Sequence, residues 1–433
     1  MFKTLRRLIY LFLAVVIFGP IAVLFFGRED APAIGPDNVV SSAQAGRFSR
    51  VLNEFRAITR GDAAGPLKVE AADLESAVAL GARVIPGLRG DARIGPGPDG
   101  VEEIMLTVAV PIPFIEGAGW YNLSAAVPES EDGVGFSRVA VGPIEVPGGW
   151  IVPLGAMVLD VALGGESGDL ARSAVGAVRV SGGQASLDID MDKAGRNALA
   201  GRFKDTVRGL AFASKPEDVA AYLAAFDAAA ASGKRFGTQL APHVALALRT
   251  AADRVEAGGK AQAEAEAMLF ALGLDCGTWS MQLVLGDVVP DGRQGAPCAA
   301  AKLSGRDDLR KHFSISAALA AAADGAGSFA VGEAKELVDS DGGSGFSFDD
   351  LMADRAGIRF AEIVMAGGPA DWRALADRIG RDRDILPEHR DLPSGMTAQA
   401  FERTYRDVES TAYKDMVRRI DARIASDTVL GAS

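Results

Sequence analysis

The chain has 433 residues, enough for two or three domains of ordinary size, and 48% of them are hydrophobic, which excludes wholesale disorder. Its formal net charge is -12, and no Lys/Arg stripe follows the first seven residues, which excludes a nucleic-acid-binding surface. An acidic chain is also repelled by anionic lipid, so any attachment to a membrane has to be hydrophobic.

Leu8 to Phe26 supplies such an element: nineteen residues without a charge. As a helix they reach roughly 28 Å, close to the thickness of a bilayer's hydrocarbon core. Lys3, Arg6 and Arg7 precede the run, and Arg28, Glu29 and Asp30 follow it. The positive-inside rule then keeps the N-terminus in the cytoplasm and exports the rest across the inner membrane, with the later domains periplasmic. Pro20 kinks such a helix but is tolerated in a span. The competing reading is a cleaved signal peptide, since Ala31-Pro32-Ala33 has small residues at the right spacing. The apolar run is longer than a signal peptide's, and charges separate it from that site, so an uncleaved anchor is favoured.

Residues 31–45 are small, polar and proline-containing and read as a tether. Phe48, Val51, Leu52, Phe55 and Ile58 fall at helical spacing, and Val69 to Val84 reads as a second helix with Glu70 or Asp73 near its first turn. From Arg93 to Leu163 the language changes to short Val-, Ile- and aromatic-rich runs broken by Gly and Pro, the last of them IVPLGAMVLDVAL, and all read as strands. Val178 to Met191 adds a hairpin, where Leu187, Ile189 and Met191 alternate with Asp188, Asp190 and Asp192. Those three aspartates lack the glycine and distal glutamate of a calcium loop and read as a solvated strand face. Tyr121-Asn122-Leu123, followed by Val141-Gly142-Pro143-Ile144-Glu145-Val146-Pro147, resembles a pattern of the YpmS-like envelope proteins. The resemblance covers about thirty residues and implies an antiparallel β domain, with no catalytic residue to carry over.

From Ala194 the sequence turns alanine-rich. Pro216 to Ala230, Thr238 to Ala257 and Ala261 to Leu272 are predicted helices, and His243 opens an apolar one as a packed or capping residue. Cys276 and Cys298 are the only cysteines. In an exported chain an even count favours a disulfide over two buried thiols, and closing a loop of this size contributes roughly 3 kcal/mol. Ala398 to Ala425 reads as one amphipathic helix docked on its own domain.

The stretch from Asp307 to Phe360 holds the candidate chemistry. Glu336 and Asp339 stand at i, i+3 beside Lys335, Asp350 and Asp354 stand at i, i+4, and Ser347 with Asp350 forms a capping box behind a glycine-rich loop. That loop lacks the pattern of a phosphate-binding P-loop or of a hydrolase nucleophile elbow. His312 and Ser316, then Gly332, Lys335, Glu336 and Asp339, then Phe348, Ala353, Asp354 and Gly357 resemble the order found in YfiM-like periplasmic lipoproteins. The resemblance covers about fifty residues; here a helix replaces the lipid anchor, and the family's activity is itself unassigned.

Two readings of the cluster stand. As a site, His312, Glu336, Asp339 and Asp354 bind a divalent cation as the cofactor, or His312, Glu336 and Asp350 act as catalytic groups. As structure, Lys335 and His312 neutralise the acids inside a helical bundle. The fold class expected is α+β: cytoplasmic stub and transmembrane anchor (1–30), tether (31–45), antiparallel β-rich exported domain (46–192) and disulfide-braced α-helical domain (193–433). The function expected is a non-catalytic envelope module that binds a lipid, a glycan or a protein partner. The alternative is an envelope hydrolase acting on a glycan or peptidoglycan-like substrate.

Overall fold

Alternating apolar residues make strands where one face can be buried, and that pattern organises the first half of the chain. The computed structural model describes residues 26–35, 42–84, 87–112, 119–191, 194–195, 197–199, 201–202, 213–232, 238–278, 289, 293, 296–322, 336 and 345–431. The chain is mixed α and β and divides into two compact units, with the main break after Leu199. Among the described residues no helix is long and apolar enough to cross a membrane. The anchor expected at Leu8 to Phe26 lies outside them except for Phe26.

Helix α1 (Ser42–Arg60), which belongs to the first unit from Arg47 on, and strand β2 (Leu67–Glu70) lead into α2 (Ala71–Val84). Asp73 accepts the Glu70 amide at 3.0 Å and pairs with Arg50 at 2.7 Å, so it both caps α2 and holds α1 to it. An antiparallel meander follows: β3 (Arg89–Pro96), β4 (Glu102–Pro111), β5 (Trp120–Val127), β6 (Arg138–Val141) and β7 (Ile144–Val146). The short strand β1 (Arg28–Glu29) pairs with Tyr121 and Trp120 of β5. A second sheet has the order β2, then β9 (Gln184–Ile189), then β8 (Val175–Ser181). Ile104, Val127, Val178, Val180 and Ala185 form the buried cluster where the two sheets meet.

Three expectations change here. The run IVPLGAMVLDVAL is not a strand but most of helix α3 (Gly148–Leu163), followed by the short α4 (Ser167–Arg172). Its apolar run exceeds ordinary strand length and lacks period-two alternation, so the backbone satisfies its own hydrogen bonds. Part of the expected tether is bound to the sheet. Asn122 donates to Glu29 and to the Ala31 carbonyl (3.0 Å) and accepts the Ala33 amide (2.8 Å), while Arg89 donates to the Ile34 carbonyl. The C-terminal amphipathic stretch is two helices, not one.

The second unit is helical. Helices α5 (Pro216–Ala231), α6 (Ala241–Glu256) and α7 (Ala261–Leu272) fall close to their predicted spans. Cys276 and Cys298 form the expected disulfide, both fully buried, with Cα atoms 4.7 Å apart. Helix α8 (Asp307–Ala322) then packs on α9 (Phe348–Ala366), followed by α10 (Pro369–Arg378). The chain ends in α11 (Ala398–Tyr405) and α12 (Thr411–Asp427). Arg406, at φ +64, breaks these last two, and Ser410 caps the second by accepting the Tyr413 amide. Phe346, Phe348, Phe401, Tyr405 and Tyr413 stack into one aromatic cluster at this end of α9.

Gly357 sets how closely α8 and α9 approach. A Cβ added there would lie 2.2 Å from the Phe313 carbonyl oxygen, which is backbone and has nowhere to go. Gly357→Ala is therefore expected to lower the unfolding free energy by about 1–3 kcal/mol, the usual cost of overpacking a core. Urea denaturation followed by circular dichroism checks this; an unchanged midpoint would show that the helices have room to separate.

Candidate metal centre

Four residues apart on a helix means the same face, and two such pairs meet across the α8–α9 contact. His312 and Ser316 come from α8, Asp350 and Asp354 from α9. Asp354 Oδ1 accepts the Ser316 hydroxyl at 2.7 Å and stands 3.0 Å from His312 Nδ1. Where the carboxylate accepts, Nδ1 carries the proton of this contact, and Nε2 is turned to the other side of the ring. Nε2 faces Glu336 Oε1 at 3.8 Å and Asp350 Oδ2 at 3.7 Å. One donor atom from each of these three residues lies within 4.8 Å of the others. All three residues are buried, Glu336 completely.

Glu336 is held by Ser347, whose backbone N–H donates to its Oε2 at 3.2 Å. The capping box expected from Ser347 and Asp350 does not form, because Ser347 Oγ accepts the Gly395 amide at 3.0 Å instead. Gly345, at φ +90, lets its backbone lie against Gly395, where a Cβ would come within 2.4 Å of the carbonyl carbon. This crossing fixes Ser347, and through it Glu336, opposite the imidazole.

The acids are balanced by a residue that the sequence pattern did not single out. Arg306 donates to Asp349, Asp308 and Asp350, the last at 3.0 Å. Ser304 and Gly305, both at positive φ, turn the chain just ahead of it. Burial pushes the Asp350 carboxyl up to about 6; the neighbouring His312 and Arg306 oppose the rise, while Asp349 and Asp308 add to it. Asp354 Oδ2 is buried and accepts no hydrogen bond among the described residues.

Of the expected site residues, Asp354 sits on the Nδ1 side of His312, while Asp350 and Glu336 face Nε2. Asp339 and Lys335 lie outside the described residues. His243, in α6, is buried, and burial together with Arg310 lowers its pKa to about 4, which keeps it neutral as a packing residue. Asp275 also clusters with Cys276 and Cys298, but those sulfurs are bridged, and Asp275 takes Arg293 (2.6 Å) and the Cys298 amide (3.0 Å). Asp188 pairs with Arg179 at 2.9 Å on a strand face.

A scan against protein-family models found no matching family, and searches of curated proteins and of solved structures found no match.

Asp350 makes stability depend on pH in a definite direction. Its folded pKa, about 6, lies above the ordinary carboxyl value of 3.8, so the folded chain holds the proton more tightly. The resulting stabilisation is full below about pH 4 and is lost as pH rises through about 6, an effect of about 2–3 kcal/mol. Asp350→Asn should flatten the change in urea midpoint between pH 4 and 7; an unaltered slope would place the titration elsewhere.

Proposed function

We propose that this chain is a membrane-anchored protein of the cell envelope whose helical unit holds a divalent cation between His312 Nε2, Glu336 and Asp350. The cation braces a non-catalytic module for an envelope lipid, glycan or protein partner. The observation that carries the metal reading is the imidazole turned by Asp354. A carboxylate on the far ring nitrogen is the usual outer support of a metal-bound histidine, because it fixes the tautomer and strengthens the ligand. Two metal bonds of about 2.0–2.3 Å separate their donor atoms by roughly 3–4.6 Å. The 3.7 and 3.8 Å separations fall in that range. One imidazole and two carboxylates suit zinc or manganese better than calcium, which takes six to eight oxygens.

The envelope reading rests on the charge-flanked apolar run at Leu8 to Phe26, and the buried disulfide is consistent with an oxidising compartment. The order of residues that resembles the YfiM-like lipoproteins points the same way. The hydrolase alternative draws less support. Paired carboxyls that cleave a glycosidic bond stand about 5–9.5 Å apart with the sugar between them. Here Glu336 and Asp350 are both buried and both face His312 Nε2, at 3.8 and 3.7 Å.

Calorimetric titration of the chelator-treated full chain with zinc and manganese tests this. One equivalent should bind, with affinity falling at least a hundredfold in His312→Ala and in Glu336→Gln. Asp354→Asn should cost about 10–100-fold through the misdirected imidazole. No stoichiometric binding by a folded native chain would end the proposal. Glycan cleavage by the loaded chain, abolished in Glu336→Gln at unchanged melting temperature, would favour the hydrolase.

A further inference from the structure

Helix α3 shows an apolar face to solvent. Trp150, Leu154, Met157, Val158 and Val161 are 38–84% exposed, and their spacing sets them on one stripe about 100° wide. Gly148 and Ala156 are buried on the side that meets the rest of the unit: a Cβ on Gly148 would strike the Phe136 carbonyl, and Ala156 backs onto Gly168 of α4. The only charge in the helix, Asp160, is used internally, accepting the Gly168 amide at 2.7 Å. A soluble surface rarely leaves so contiguous an apolar stripe without a partner.

The place where the apolar N-terminal run joins this unit says what that partner is. Phe26, the last residue of the run, is exposed, and Gly27 behind it is buried. Gly27 lies against the β6–β7 turn, since a Cβ on Gly142 would come within 2.5 Å of its carbonyl oxygen. Arg28 and Glu29 then pair with β5, and Asn122 secures the residues that follow. Only β7 and a short link separate Gly142 from the start of α3, at most about 20 Å of chain. If Leu8 to Phe26 spans the bilayer, its exit at the interface lies within one short strand of the apolar stripe.

We infer that α3 docks on the membrane, laying Trp150, Leu154, Met157, Val158 and Val161 into the headgroup boundary of the bilayer that the N-terminal run enters. This rests on the anchor reading of the preceding subsection. Tryptophan at one end and aliphatic residues along the stripe suit that boundary. With one acid and no base in the helix, the attraction is hydrophobic, so docking requires no anionic lipid and persists in high salt.

The native cysteines are bridged, so a single introduced cysteine carries an environment-sensitive dye. The full chain, labelled at Val158→Cys or Gly155→Cys, is reconstituted into phosphatidylcholine vesicles containing lipids spin-labelled near the headgroup. Position 155 is exposed but off the stripe, and added atoms meet nothing there. The label at 158 should be quenched at least twofold more than the label at 155, and Leu154→Ser with Val161→Asp should remove the difference. Equal, water-like labels in a chain that resists alkaline carbonate extraction would overturn docking while leaving the anchor. Carbonate release of a chain whose 158 label was quenched beforehand would overturn the anchor and leave docking. Burial of the label without lipid quenching, rising with protein density, would assign the stripe to a second copy and overturn the inference.

Discussion

The backbone contact between Gly357 and Phe313 is the constraint on which the second unit depends. Phe313 is the neighbour of His312, and Gly357 lies one turn beyond Asp354. Removing a single Cβ brings the two helices close enough for Asp354 to span to both His312 and Ser316. A wider crossing would part Asp354 from His312 and Ser316 and leave its buried side chain short of partners, a costly state for a polar group. Packing and polar satisfaction therefore select the same geometry, and the direction of Nε2 follows from it.

The first unit depends on a comparable device built from Asn122. Its side-chain amide has both donors and its oxygen engaged by the strand that follows the apolar run. The N-terminal end of the described chain thus becomes an extra strand on the meander rather than a loose leader. The edge of β5 beyond β6 is covered by this pairing, which removes a template for unwanted strand association.

Much of the helical unit was legible because its residues carry a clear period. Helix α7 falls on its predicted span, and the pairing of Asp350 with Asp354 on one face needed only the i, i+4 rule. Other features left no such trace. Helix α3 is apolar nearly all round, so its period is hidden until one side is seen to be covered and the other not. The break at Arg406 was invisible because Phe401, Tyr405 and Val408 keep helical spacing across it. Arg306 escaped notice because it reaches the acids from a turn, and no helix or strand rule links it to Asp349, forty-three residues on. The roles of Asp350 and Asp354 could not be told apart by spacing, since only the side of the imidazole that each one meets separates them.

The disulfide has a bearing on how firmly His312 is held. Arg310 of α8 donates to the carbonyl of Cys276, and Ile315 of the same helix lies against Gly277. The seat of α8, and with it the position of His312, is therefore built partly from the cysteine segment. Opening the Cys276–Cys298 bond would loosen that segment, and the seat of His312 would loosen with it.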